Sequence, residues 1–133
     1  MATITAAITL TSTDLLTDSL SLSTTATLTK AGTATGLDQT TGLARKYYAT
    51  AVTNETLIAA GSYTDNKSHK LYIKNLATDD TQYIQLTLAG SNETLGRLYA
   101  GDWAFIPYMG TNDLDITTSD NAMTVEYALF YEA

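Results

Sequence analysis

The sequence predicts an all-β domain, an antiparallel two-sheet sandwich of about eight strands with a jelly-roll-like topology. Three observations predict it. Thr is the most frequent residue type, and its β-branched side chain, stiff at χ1, suits a pleated and half-solvated surface better than a helix. Large apolar residues alternate with Ser, Thr and charged residues in segment after segment, the period of a strand with one face inward. Gly, Asn, Asp and Ser recur between those segments at short, fairly even spacing, and Pro occurs once, at Pro107.

Taken in order, residues 3–11 mix Thr with Ile4, Ile8 and Leu10. Residues 14–18 form a turn or a helical turn. In the next strand, 20–28, Leu20, Leu22, Thr24, Ala26 and Leu28 alternate with Ser and Thr. Residues 31–42, with three glycines, read as a long loop that is mobile or docks on a partner. A strand over 43–52 carries Tyr47 and Tyr48, and a short apolar run, 56–60, ends at Gly61. After a polar turn at 62–68, residues 69–75 set Leu71 and Ile73 on one face and Tyr72 and Lys74 on the other. A turn at Asp79-Asp80 leads to 82–89, with Ile84, Leu86 and Leu88 inward, and residues 90–93 turn the chain again.

The last third reads as three strands, 98–108, 114–118 and 123–131, which hold the single Trp and both Phe. An apolar segment such as Val125-Glu126-Tyr127-Ala128-Leu129-Phe130-Tyr131 would fray if left free, so it is expected as a central strand or against a partner chain. Pro107 cannot donate to a ladder and belongs near an edge or a bulge. Glu126, on the face opposite Val125 and Tyr127, is expected on a solvated sheet surface.

A chain of 133 residues fits one domain able to bury a core without staples. Residues 1–13 are either its first strand or an arm that contacts a partner. There is no Cys, so disulfides and thiolate metal sites are excluded. Met1-Ala2-Thr3-Ile4-Thr5 carries no basic leader, and no apolar run approaches a membrane span, so neither a signal peptide nor a membrane partner is expected. The formal charge of −7 repels phosphate backbones and argues against nucleic acid.

No catalytic constellation is recognisable, and no enzyme, cofactor or metal site is expected. His69 is the only histidine, which precludes a His cluster within one chain, and Lys67 and Lys70 beside it suggest a solvated turn. No G-x-S-x-G elbow exists. Asn112-Asp113-Leu114-Asp115 with Asp120-Asn121 offers oxygen ligands, yet without the spacing of an EF-hand, and these are also the residues that hairpin turns demand.

Four segments carry a family resemblance: Ser19-Leu20-Ser21-Leu22-Ser23; Leu71-Tyr72-Ile73-Lys74-Asn75; Leu98-x-x-Gly101-x-x-x-Phe105-Ile106-Pro107; and the closing Val125 to Tyr131 run. In this order the chain resembles the small all-β structural proteins of tailed-bacteriophage virions, of the capsid decoration or cement type. The resemblance implies a non-enzymatic protein made in the host cytoplasm and placed on the capsid surface. It would bind the major capsid protein in the assembled lattice and self-associate, as a homotrimer. Thr3, Ile4, Thr5 and Ile8 are then the candidate contacts of an N-terminal strand added to a neighbour's edge. The rival expectation is a carbohydrate- or receptor-binding module of a fibre or tail, with Tyr47, Tyr48, Tyr72, Trp103 and Tyr108 as exposed aromatics that stack on sugars.

Overall fold

The computed structural model describes residues 4–14, 19–30, 33, 35–63, 69–89 and 93–132. Thr3, most of the turn expected at 14–18, and the turn residues 64–68 and 90–92 lie outside the described residues. Among the described residues there is no helix, and eleven strands form antiparallel sheets. They are β1 (Ile4–Ser12), β2 (Leu20–Leu28), β3 (Gln39–Thr40), β4 (Ala44–Tyr48), β5 (Glu55–Ile58), β6 (His69–Asn75), β7 (Tyr83–Leu88), β8 (Glu93–Tyr99), β9 (Trp103–Tyr108), β10 (Leu114–Thr118) and β11 (Met123–Tyr131).

Three sheets result. One has the order β5-β10-β7-β8, and a second runs β3-β11-β6-β9, with β4 also paired to β11. A separate two-stranded ribbon joins β1 to β2. Strand β6 shows why the two larger sheets bury one core between them. Its inward residues Leu71 and Ile73 are wholly buried while Tyr72 and Lys74, which alternate with them, are only partly so. Val125 and Leu129 of β11, Ile84 and Leu86 of β7, and Leu114 and Ile116 of β10 complete the same core. The arrangement is consistent with a β-sandwich.

Of the two places expected for the C-terminal run, the structure shows the central strand: β11 lies between β3 and β4 on one side and β6 on the other. Pro107 falls on β9, the edge strand. The segment 98–108 is not one strand. Gly101, at φ +80°, and Asp102 break it, and β8 and β9 belong to different sheets. Asp102 holds the break by donating its N–H to the Tyr99 carbonyl while its carboxylate accepts from the Tyr99 N–H, each at 2.9 Å. Together with the two-residue β3, this division raises the strand count above that expected.

Three more expectations are corrected. His69 is not on a solvated turn. The alternation of β6 turns it inward with Leu71, to 1% exposure, among the rings of Tyr63, Tyr108 and Tyr131. The described part of 31–42 docks on its own chain, because Leu37 is wholly buried and bonds to Leu28, and Thr41 bonds to Leu129. Residues 4–12 form a first strand that, among the described residues, belongs to neither large sheet and pairs with β2.

Candidate functional site

The register of the β11 sheet sets a row of side chains straight across its outer face. Arg45 of β4 is opposite Glu126 of β11, Glu126 is opposite Lys74 of β6, and Lys74 is opposite Trp103 of β9. Directly paired residues in antiparallel strands point to the same side, so these four share the face turned away from the core. The neighbouring row holds Ala128, Tyr72 and Phe105, and the next holds Phe130, Lys70 and Pro107. Tyr47, paired with Thr124, stands at the far end of β4.

Glu126 organises the centre of this surface. Arg45 Nε donates to its Oε2 at 2.8 Å and Tyr72 Oη donates to its Oε1 at 3.3 Å. The expectation of a solvated carboxylate is therefore corrected: Glu126 is 7% exposed, covered by the partners that compensate its charge. Burial and the nearby Glu126 charge push the Tyr72 phenol above its ordinary range. The Arg45 side chain remains mostly exposed. Its bond to Glu126 uses Nε, and its two Nη groups make no bond among the described residues.

Of the aromatics expected on an exposed platform, Tyr47, Tyr72 and Trp103 are brought together on this face. Tyr47 and Trp103 are 61% and 51% exposed. Tyr48 and Tyr108 are not on it. The same alternation that turns Tyr47 outward buries Tyr48, and Tyr108, opposite His69, is buried with its hydroxyl donating to the Asn112 carbonyl.

Beside this face lies the β1–β2 ribbon. Its nine residue pairs run without a bulge from Ile4↔Leu28 to Ser12↔Leu20. Neither strand contains a charged residue. One face carries Ile4, Ala6, Ile8 and Leu10 with Leu20, Leu22, Ala26 and Leu28, whereas the other carries mostly Thr and Ser, Thr5 among them. The apolar face turns toward the sheet at its base, where Ile8, Ala26 and Leu28 line a cavity of about 240 Å³ with Lys70, Phe105 and Pro107. Farther along, the cross-strand pair Leu10 and Leu22 is 53% and 45% exposed. Of the four N-terminal contact candidates, Ile4 and Ile8 are on the apolar face, Thr5 is on the polar one, and Thr3 lies outside the described residues.

The oxygen-bearing residues considered for calcium make local bonds: Asp113 accepts from the Ala60 N–H, Asp115 from Thr56 Oγ1, Asp120 from the Asn121 N–H, and Asn121 from the Ala51 N–H. Among the described residues no group of three His, Asp or Glu is placed to hold a metal ion. An apolar cleft of about 480 Å³ opens elsewhere, lined by Leu88, Leu95, Ile106, Tyr108, Met109 and Leu114.

Arg45, Lys74, Leu10 and Leu22 are the members of these surfaces that sequence reading missed. The alternation in 69–75 already set Lys74 beside Tyr72, and Leu22 followed from the alternation in 20–28. Arg45 and Glu126 are 81 positions apart, and no local pattern predicts their pairing. Comparison with protein-family models, with curated proteins and with solved structures finds no match.

Proposed function

We propose that this protein is a non-enzymatic structural component of a tailed-bacteriophage virion: a capsid decoration or cement protein with a jelly-roll-like sandwich body, bound to the major capsid protein on the capsid surface. The family resemblance of its four segments supports the setting, and the observation that carries the reading is the β1–β2 ribbon. Proteins protect long edge strands with charge, Pro or bulges. The ribbon has none of these along nine uninterrupted pairs, and among the described residues its outer edges join no other strand; at the end of β2 the Leu28 carbonyl accepts from the Leu37 N–H. It is therefore suited to strand addition, with the Leu10–Leu22 pair as an apolar anchor.

A protein that binds only the assembled lattice shifts the assembly equilibrium toward it, and repeated weak contacts suffice when copies are held together, here as a homotrimer. Counting copies in purified particles by quantitative mass spectrometry tests the setting. On the order of hundreds per particle are expected of a lattice protein with repeated contacts, whereas a dozen or fewer would place it in a tail, portal or fibre. Co-sedimentation with capsids tests the ribbon: Leu10→Lys with Leu22→Lys should release the protein while its melting temperature holds. Unchanged co-sedimentation would overturn the ribbon's role.

A further inference from the structure

We propose that the outer face of the β4-β11-β6-β9 strands is a binding site for an acidic polysaccharide, one whose sugar rings carry carboxylates. The site is the row from Arg45 to Trp103 with Tyr47; the base of the ribbon sits over the other end of the same face, at Lys70, Phe105 and Pro107, and the proposal holds whether or not the protein decorates a lattice.

Charge is the first argument. On a chain of formal charge −7, the row that faces outward here holds Arg45 and Lys74 against the single carboxylate of Glu126, with Lys70 two rows away beside the base of the ribbon. Two cations less one anion leave the row a local charge of +1, and Lys70 adds to the positive field from its edge. Glu126 is already engaged by Arg45 and Tyr72, and Lys70 and Lys74 have no carboxylate partner among the described residues. The face therefore attracts an anion while the rest of the surface repels it.

Geometry is the second argument. Because Glu126 fixes Arg45 through Nε, the Nη pair is presented outward as a pre-oriented fork, the arrangement that binds a carboxylate bidentately. The row from Arg45 to Trp103 crosses four strands, about 14 Å at the usual interstrand spacing, and exposed aromatics stand at both ends, Trp103 on β9 and Tyr47 one row beyond Arg45. A protein interface has the reverse pattern, an apolar centre with charge at the rim. A flat surface with an ionic centre between two stacking rings matches instead a chain that alternates apolar ring faces with charged substituents.

The single Trp of the chain is Trp103, so its fluorescence reports on this face directly. Oligogalacturonate titrated into the protein at low salt should shift or quench the emission to saturation, with neutral dextran inert and affinity falling as salt rises. Arg45→Ala and Lys74→Ala should each weaken binding about tenfold or more, measured by calorimetry. Because Arg45→Ala also strips the partner from buried Glu126, Lys74→Ala and the exposed Tyr47→Ala keep the test valid if that variant fails to fold. Leu10→Gln with Leu22→Gln, which removes the ribbon's apolar anchor without adding charge, should bind oligogalacturonate as the parent does while losing capsids, so loss of capsid binding and loss of sugar binding are told apart. No saturable change, or equal binding of dextran, overturns the proposal. So does equal or tighter binding of poly-glutamate, or a concentration-dependent dimer abolished by Lys74→Ala; these outcomes would assign the face to an acidic protein or to a second copy.

Discussion

Asn75 Nδ2 donates to the carbonyl oxygen of Leu98 at 3.0 Å, tying β6 of one large sheet to β8 of the other. The same group donates to the Gln82 carbonyl at 3.3 Å, and Asn75 Oδ1 accepts from the Ala77 N–H at 2.9 Å. Asn75 is wholly buried, so one side chain satisfies three backbone groups from three segments. Replacement by Ala leaves those groups unpaired, and Asn75→Ala is expected to cost about 2–4 kcal/mol. Chemical denaturation should show a lower midpoint with little change in slope; a loss below about 0.5 kcal/mol, the size of an ordinary surface change, would refute the clamp.

Ala122 adopts φ +56° in the turn that leads into β11, and it is exposed. An L-residue there carries a left-handed strain of about 1–2 kcal/mol, part of which Gly returns as lost chain entropy. Ala122→Gly should therefore raise stability by roughly 0.5–1 kcal/mol. A melting temperature that falls would show that the methyl group contributes more than the strain costs.

Gly110 meets both conditions that exclude a side chain. Its φ is +82°, and a Cβ there would lie 3.0 Å from His69 Cε1. Gly110→Ala is expected to destabilise by more than the left-handed penalty of about 1–2 kcal/mol, because the ring is enclosed by Tyr63, Tyr108 and Tyr131. In a His69→Ala background the cost should shrink toward the backbone part alone, since neighbours that share a contact are not additive. Equal costs in the two backgrounds would refute the steric account.

Burial pushes the phenols of Tyr48, Tyr63 and Tyr72 above the ordinary value. For an acid whose pKa is raised on folding, the native state holds the proton more tightly. The stabilisation is fully present below the unfolded value, near pH 10, and is lost as pH rises through the elevated native values. Thermal melts should thus be flat from pH 8 to about 10 and decline beyond it. Tyr48 Oη is buried, with the Lys46 ammonium as its polar neighbour and no hydrogen bond of good geometry among the described residues, so Tyr48→Phe should change stability at neutral pH by less than about 1 kcal/mol and reduce the alkaline decline. A decline identical to the parent's would assign the effect to other groups.

The sequence by itself determined what depends on neighbours along the chain. Alternation placed Leu71, Ile73, Ile84 and Leu86 inward, composition limited residues 123–131 to a central strand or a partner's surface, and the missing N–H limited Pro107 to an edge or a bulge, because each follows from the two-residue period of a strand or from the side-chain and donor inventory of one segment. Tertiary structure decided everything that rests on register between distant strands. Tyr47 and Tyr48 differ in exposure because the sheet has an inside, and sequence composition alone makes both equally plausible as platform residues. His69 looked solvated beside two lysines until β6 turned it into an aromatic enclosure. The meeting of Arg45, Glu126, Lys74 and Trp103 in one row required three strand pairings to close in a single alignment. Shifting any one of them by a residue would send that strand's side chains to the opposite face and dissolve the site.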